Sequence, residues 1–408
     1  KIFDTNRFLA NPEINLSPQI IFLLFLPLGT FILFNGLLMY TVSFIGLLLL
    51  RKKFKLSILP FAFIFLLFNF NGNIIAHMAV GHSMWFAYFL LPFYFLFLFE
   101  VVENRSPLKS SIKLSFVLFL MILQGGFRIV IWSFLFYTFI CLFNVEIKQD
   151  KLKFTLVKPY FLTLFFTVML GAIRIFPTVF GFPSKKPELL SGFASLEHMW
   201  VALTVAKDHL TPFGYPIAAW WEYNIFISLA GMAFLFFWGI YLFVRKDKFK
   251  YAPYLAAVIV FVFLSMNFNY NLIASIPISA LYSQRAPSRL LIIPLLMIVI
   301  LAAKDLQGVL DDSKNNKMYN HLIYLISLVL IAFSAFSLIK HINLWKIKYL
   351  QEYYHQLGVQ ISIPTISQIN DPTIKFLFLI GFVTTVISII LLYKFYYKNE
   401  INFFKKKI

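Results

Sequence analysis

Residues 20–53 read IIFLLFLPLGTFILFNGLLMYTVSFIGLLLLRKK, an apolar run with Pro27 near its start and Arg51-Lys52-Lys53 at its end. A bilayer core about 30 Å thick is crossed by about 20 apolar residues in a helix. Inside lipid every backbone polar group must find its partner within the segment, and a helix does this. The run therefore predicts a long transmembrane helix over 20–50 whose basic end meets water. The rest of the chain has the same character. Of 408 residues, 60% are hydrophobic, 19% aromatic and 13% charged, with 52 Phe. Soluble domains carry roughly 25% charged residues. With so little polar material the chain cannot cover a globule, which excludes a soluble enzyme, a disordered protein and a secreted disulfide scaffold. The single Cys141 can close no internal disulfide.

Similar runs recur along the chain and predict an all-α, polytopic membrane protein with eleven spans. They cover 20–50, 56–75, 84–102, 110–124, 126–144, 156–180, 225–244, 251–268, 288–304, 321–340 and 373–395. Gln124-Gly125-Gly126 splits 110–144 into two helices, because the whole stretch exceeds one crossing. The apolar character is continuous, so residues 1–408 read as a single transmembrane unit.

Lys and Arg concentrate in alternate loops: Arg51 to Lys55, Arg105 to Lys113, Lys148 to Lys158, Arg245 to Lys250, Lys304 to Lys317, and Lys394 to Lys407. By the positive-inside rule these loops are cytoplasmic, as is the C-terminus. The net charge of +19 is then a topology signal with attraction to anionic lipid, and the lipid bilayer, not nucleic acid, is the expected partner. Residues 1–19 become the tail of an extracytoplasmic loop. With no signal-peptide pattern ahead of it, this fits a twelve-helix protein whose first helix lies outside the sequence.

The other long extracytoplasmic segments, 69–83, 174–224, 267–288 and 341–372, collect the chemistry. His77 and His82 flank a turn at Gly81 after Asn69-Phe70-Asn71-Gly72-Asn73. Ionisable groups where a helix leaves lipid often serve a pathway or site; the alternative is a helix cap with interfacial hydrogen bonds. A divalent metal on this His pair would need further ligands. Arg128 follows the Gly125-Gly126 turn and could hold a phosphate or snorkel to headgroups. Arg174 is expected at the end of its helix. The 174–224 loop carries an amphipathic stretch, Leu196 to Leu203, then Asp208, then Trp220-Trp221-Glu222-Tyr223-Asn224. Aromatics stack on sugar faces while a carboxylate accepts sugar hydroxyls; an interfacial aromatic belt is the other reading. Arg285 and Arg289 lie beside a helix start on the face where Arg is disfavoured. Guanidinium forks there suit a lipid phosphate, and a salt bridge to an outer carboxylate is the alternative. No phosphate-loop, dinucleotide or zinc-protease motif is present.

Several of these motifs, in this order, resemble the GT-C superfamily of polytopic membrane glycosyltransferases, and more narrowly its YfhO-like bacterial branch. They are Asn35-Gly36-Leu37-Leu38-Met39-Tyr40, Ala76-His77-Met78-Ala79-Val80-Gly81-His82 with Leu91-Pro92, and Gln124-Gly125-Gly126. Ala172-Ile173-Arg174-Ile175-Phe176-Pro177-Thr178, Trp221-Glu222-Tyr223-Asn224 and Arg285-Ala286-Pro287-Ser288-Arg289 complete the series. The resemblance implies transfer of a sugar from a polyprenyl-phosphate-linked donor at the extracytoplasmic face of the cytoplasmic membrane. It implies an acidic catalytic residue in the first outer loop, for which this chain offers Asp4, with Glu222 as the other candidate. His77, His82, Arg128, Arg174, Asp208, Trp220, Trp221, Tyr223, Arg285 and Arg289 are the expected substrate contacts. The competing expectations are a transporter or flippase for a lipid-linked sugar and a non-catalytic envelope assembly protein. A conduit would carry its ionisable groups near mid-membrane, whereas here they crowd one face.

Overall fold

The computed structural model describes residues 16–103, 107–148, 151–181, 192–204, 221–244, 251–267 and 286–313, with Ala332. The expected span 321–340 apart from Ala332, the span 373–395 and the loop 341–372 lie outside the described residues, as does the expected loop tail up to residue 15. The helices are α1 Leu28–Phe54, α2 Ile58–Asn69, α3 Gly72–Ala79, α4 Leu91–Val102, α5 Pro107–Leu123 and α6 Phe127–Phe143. After them come α7 Val157–Gly181, α8 Leu196–Thr204, α9 Ser228–Val244, α10 Ala252–Ser265 and α11 Ile292–Ser313. Tight 3-10 turns, Pro18–Leu24, Ser83–Leu90 and Pro287–Leu291, precede α1, α4 and α11. The helical class holds, with one addition. Val145–Lys148 and Lys151–Phe154 pair antiparallel as a short hairpin, β1 and β2, where the sequence predicts only a basic loop.

Among the described residues five stretches are long and apolar enough to cross a membrane: Leu28–Phe54, Ile58–Ala79, Ser83–Val102, Val157–Phe176 and Pro287–Asp311. Phe127–Phe143, Ser228–Leu242 and Ala252–Ser265 are shorter apolar helices. The chain is thus a helical membrane protein. Its outer surface agrees, since Leu24, Phe25, Leu33 and Leu37 are more than two-thirds exposed. Apolar side chains of that size facing outward in such number belong against lipid. Of the five, the Pro287–Asp311 stretch is the most buried and forms the centre, while Leu28–Phe54 and Val157–Phe176 are the least buried and stand at the periphery. Within this bundle α5 packs along α7, α6 along α10, α2 along α11, and α1 along α4.

Three expectations about element ends are corrected. The run 20–50 is not one helix, because Pro27 has no N–H to continue a ladder and stands as the N-cap of α1 after the first 3-10 turn. Residues 69–83 are not a loop. Asn71 accepts hydrogen bonds from the backbone N–H groups of Asn73 and Ile74 and so starts α3. Arg174 does not end its helix, since α7 continues to Gly181, in line with the expected span 156–180 rather than with a loop from 174. The division at Gln124-Gly125-Gly126 is as expected. Gly125 takes φ +80°, open to glycine at no steric cost. A Cβ on Gly126 would stand 2.3 Å from Cβ of Ala87, so the turn presses directly on the segment before α4.

The helix ends assemble into two opposed groups. At the basic end, Lys53 pairs with Glu103 and Ser57 N–H donates to Gln307. There the buried Asp305 accepts from Trp238 Nε1 at 2.8 Å and Tyr251 Oη at 2.7 Å. At the other end, buried Gln19 and Gln124 exchange hydrogen bonds, and Gly72 N–H donates to Phe226 O at 2.7 Å. Phe193 bridges to the end of α10 through Ser265 and Asn267 at the same end.

Candidate functional site

The second group of helix ends holds a polar cluster drawn from separated parts of the chain. Asn71 Oδ1 caps α3 while its amide donates to Tyr88 Oη at 2.6 Å and Phe68 O at 2.8 Å. This fixes α3 against the turn that precedes α4. His77, on the last turn of α3, stacks on Trp85 with ring centroids 3.8 Å apart and an interplanar angle of 11°. Its Nδ1 lies 3.0 Å from Nδ1 of His82, so one of the two nitrogens donates and the other accepts. Two Nδ1–H groups facing each other at that distance would clash, and the pair therefore holds at most one proton between these atoms.

From His82 the cluster runs across to the segment before α9. The His82 ring meets Trp221 edge-on at 5.6 Å. Trp221 Nε1 donates to Glu222 Oε1 at 3.0 Å. Arg289, from the 3-10 turn before α11, donates through Nε and Nη2 to the two carboxylate oxygens of Glu222 in a bidentate ion pair. Ser288 Oγ donates to the Glu222 carbonyl at 2.7 Å, tying the same two segments a second time. Arg289 returns to the start of the circuit, with its guanidinium carbon 5.6 Å from the Trp85 ring centroid. Arg128, on the first turn of α6, acts on His77 through its charge, as Arg289 does.

Burial makes this arrangement consequential. Glu222 is 4% exposed, Arg289 3% and His77 0%. An ion pair out of water is held only by good geometry and further hydrogen bonds, and this one has a planar fork, an indole N–H and an aromatic face. The structure thus brings together His77, His82, Trp221, Glu222 and Arg289, with Arg128 within electrostatic reach. Asp4, Asp208, Trp220 and Arg285 lie outside the described residues.

Two placements correct the expectation. Tyr223 is fully buried, stacked on His198 at 5.8 Å and edge-on to Phe193 at 6.3 Å, in a separate apolar core with Leu203 and Met266. It supports α8, which forms where the amphipathic stretch predicts, and its ring packs against His198 and Phe193. Arg174 is fully buried within α7 rather than presented at a helix end. Glu222, the candidate catalytic carboxylate, is held by Arg289, so the salt bridge given as the alternative for Arg289 is the one observed. Sequence reasoning assigned no role to Trp85, whose ring meets both His77 and Arg289. Its signal is its place three residues after His82, close enough for one turn to bring both onto His77. Among the described residues no group of three or more His, Cys, Asp or Glu side chains is placed to hold a metal ion.

Comparison with protein-family models, curated proteins and solved structures finds no match for this chain.

Proposed function

We propose that this protein is a membrane glycosyltransferase that moves a sugar from a polyprenyl-phosphate-linked donor to an acceptor hydroxyl at the extracytoplasmic face. In this reading the chain has eleven spans, its C-terminus is cytoplasmic, and the fold is of the GT-C type. The observation that carries the reading is the buried Arg289–Glu222 pair, set among His77, His82, Trp85 and Trp221 at the end of the bundle opposite the basic loops.

The chemistry follows from the fork. A phosphate presents the same paired oxygens as the Glu222 carboxylate, so donor phosphate can take the Arg289 guanidinium in its place. Arg289 then stabilises negative charge on the departing polyprenyl phosphate as the bond from its oxygen to the sugar breaks. The displaced Glu222 keeps its Trp221 hydrogen bond and becomes available to the incoming acceptor. It accepts the hydroxyl proton as the acceptor oxygen bonds to the sugar. Asp4 is the second candidate for that proton. The exposed apolar flanks of the bundle receive the polyprenyl tail.

The test is to incubate membranes containing the full-length protein with a labelled polyprenyl-phosphate sugar and to identify the labelled product. Transfer should occur and should fall at least 100-fold in Arg289→Ala. Transfer unchanged by that substitution removes the phosphate role. Movement of the lipid-linked sugar across the membrane without transfer would instead establish a flippase.

A further inference from the structure

The ion pair accounts for Arg289 and Glu222 but leaves the inner face of α3 unexplained. Asn73 is fully buried, and neither its side-chain oxygen nor its side-chain nitrogen has a hydrogen-bond partner. His77, one helical turn further on and therefore on the same face, is also fully buried, and its Nε2 is likewise unpartnered. The buried amides of Asn69 and Asn71 beside it are at least half engaged. Asn69 Oδ1 accepts from Ser43, and Asn71 uses both ends of its amide. Among the described residues Asn73 is the one Asn whose amide oxygen and nitrogen are both shut off from solvent and unpaired. Unpaired buried polar atoms cost free energy and call for an explanation.

The three atoms specify the chemistry of what would satisfy them. An amide offers a donor and an acceptor side by side, and a hydroxyl answers both. A phosphate has only acceptor oxygens at neutral pH and would set them against Asn73 Oδ1. Position agrees. Gly72 packs so closely on the segment after Glu222 that an added Cβ would lie 1.9 Å from Asn224 Oδ1, so Asn73 starts beside that strip of chain. His77 reaches the ion pair through Trp85.

We infer that Asn73 and His77 form a subsite for a neutral, hydroxyl-bearing ring, the sugar of the lipid-linked donor, beside the phosphate position at Arg289. The inference rests on the glycosyl-transfer reading and deepens it. Sugar hydroxyls pair with the Asn73 amide and with His77 Nε2, while Trp85, occupied by His77 and Arg289, holds the imidazole in place rather than stacking the sugar.

The test is binding, independent of turnover. Full-length protein in nanodiscs is titrated with polyprenyl-phosphate glucose and with bare polyprenyl phosphate. The wild type should bind the sugar-bearing lipid at least tenfold more tightly. Asn73→Leu and His77→Phe should abolish that preference, read in each variant as the ratio of its two affinities. The milder Asn73→Ser, read by the same ratio, covers a Leu variant that folds poorly. Equal binding of the two lipids by the wild type, or a preference that survives in the variants, overturns the subsite. Absence of turnover in the same preparation, with the preference intact, would count against the enzyme and not against the subsite.

Discussion

Glu222 and Arg289 show how much a single buried contact can decide. Removing one partner leaves the other charge without compensation in a dry site, at a cost of about 3–5 kcal/mol. Glu222→Ala should therefore lower the thermal stability of the full-length protein in detergent by that order. The apolar double variant Glu222→Leu with Arg289→Met should recover most of the loss while transfer stays absent. Arg289→Lys keeps the charge but loses the planar fork, so it should retain stability better than Arg289→Ala and still lose transfer by at least tenfold. All of these residue types could be recognised in the sequence. Their pairing could not, because nothing local distinguishes an Arg that meets a lipid phosphate from one that meets a carboxylate from a distant segment.

Between the residue and the whole bundle stand the joints, where small residues set the approach of one element to another. Gly126 packs its Cα against Ala87 with no room for a Cβ. Gly126→Ala should destabilise the protein by about 1–3 kcal/mol through overpacking, and Ala87→Gly in the same chain should restore much of it. Thermal unfolding of the two single variants and the double variant measures this directly. At the basic end Asp305 ties α9, α10 and α11 through Trp238 and Tyr251. Asp305→Ala removes the acceptor of two buried hydrogen bonds, from Trp238 and Tyr251, and should cost about 1–3 kcal/mol; pairing it with Trp238→Phe should cost less than the sum of the two. The division at Gln124-Gly125-Gly126 and the amphipathic helix at Leu196–Thr204 were legible from periodicity and glycine content. The separate helix α3 was not. Its capping Asn71 lies within an apolar run long enough to pass for part of one span, and a cap is recognised only when its side chain is seen to accept backbone N–H groups.

Taken whole, the bundle has two chemically different ends, one basic and one carrying the His, Trp, Glu and Arg cluster. If the positive-inside rule orients it as proposed, Ala194→Cys should react with a membrane-impermeant maleimide applied outside intact cells. Lys109→Cys should react only after the membrane is opened. Both residues are exposed, and the buried native Cys141 replaced by Ser provides a silent background. The opposite labelling pattern would invert the orientation and place the cluster at the cytoplasm. By itself the amino-acid order determined the membrane class, the apolar helices and most of their breaks. Those depend on transfer of side chains from water to lipid and on backbone hydrogen bonding within each segment, which are properties of consecutive residues. Only the tertiary structure decided which polar groups meet: Glu222 with Arg289, His77 with His82 and Trp85, and Tyr223 with the apolar core. Those contacts join residues from separate helix ends, and their energies exist only once packing has excluded water and brought the partners to hydrogen-bonding distance.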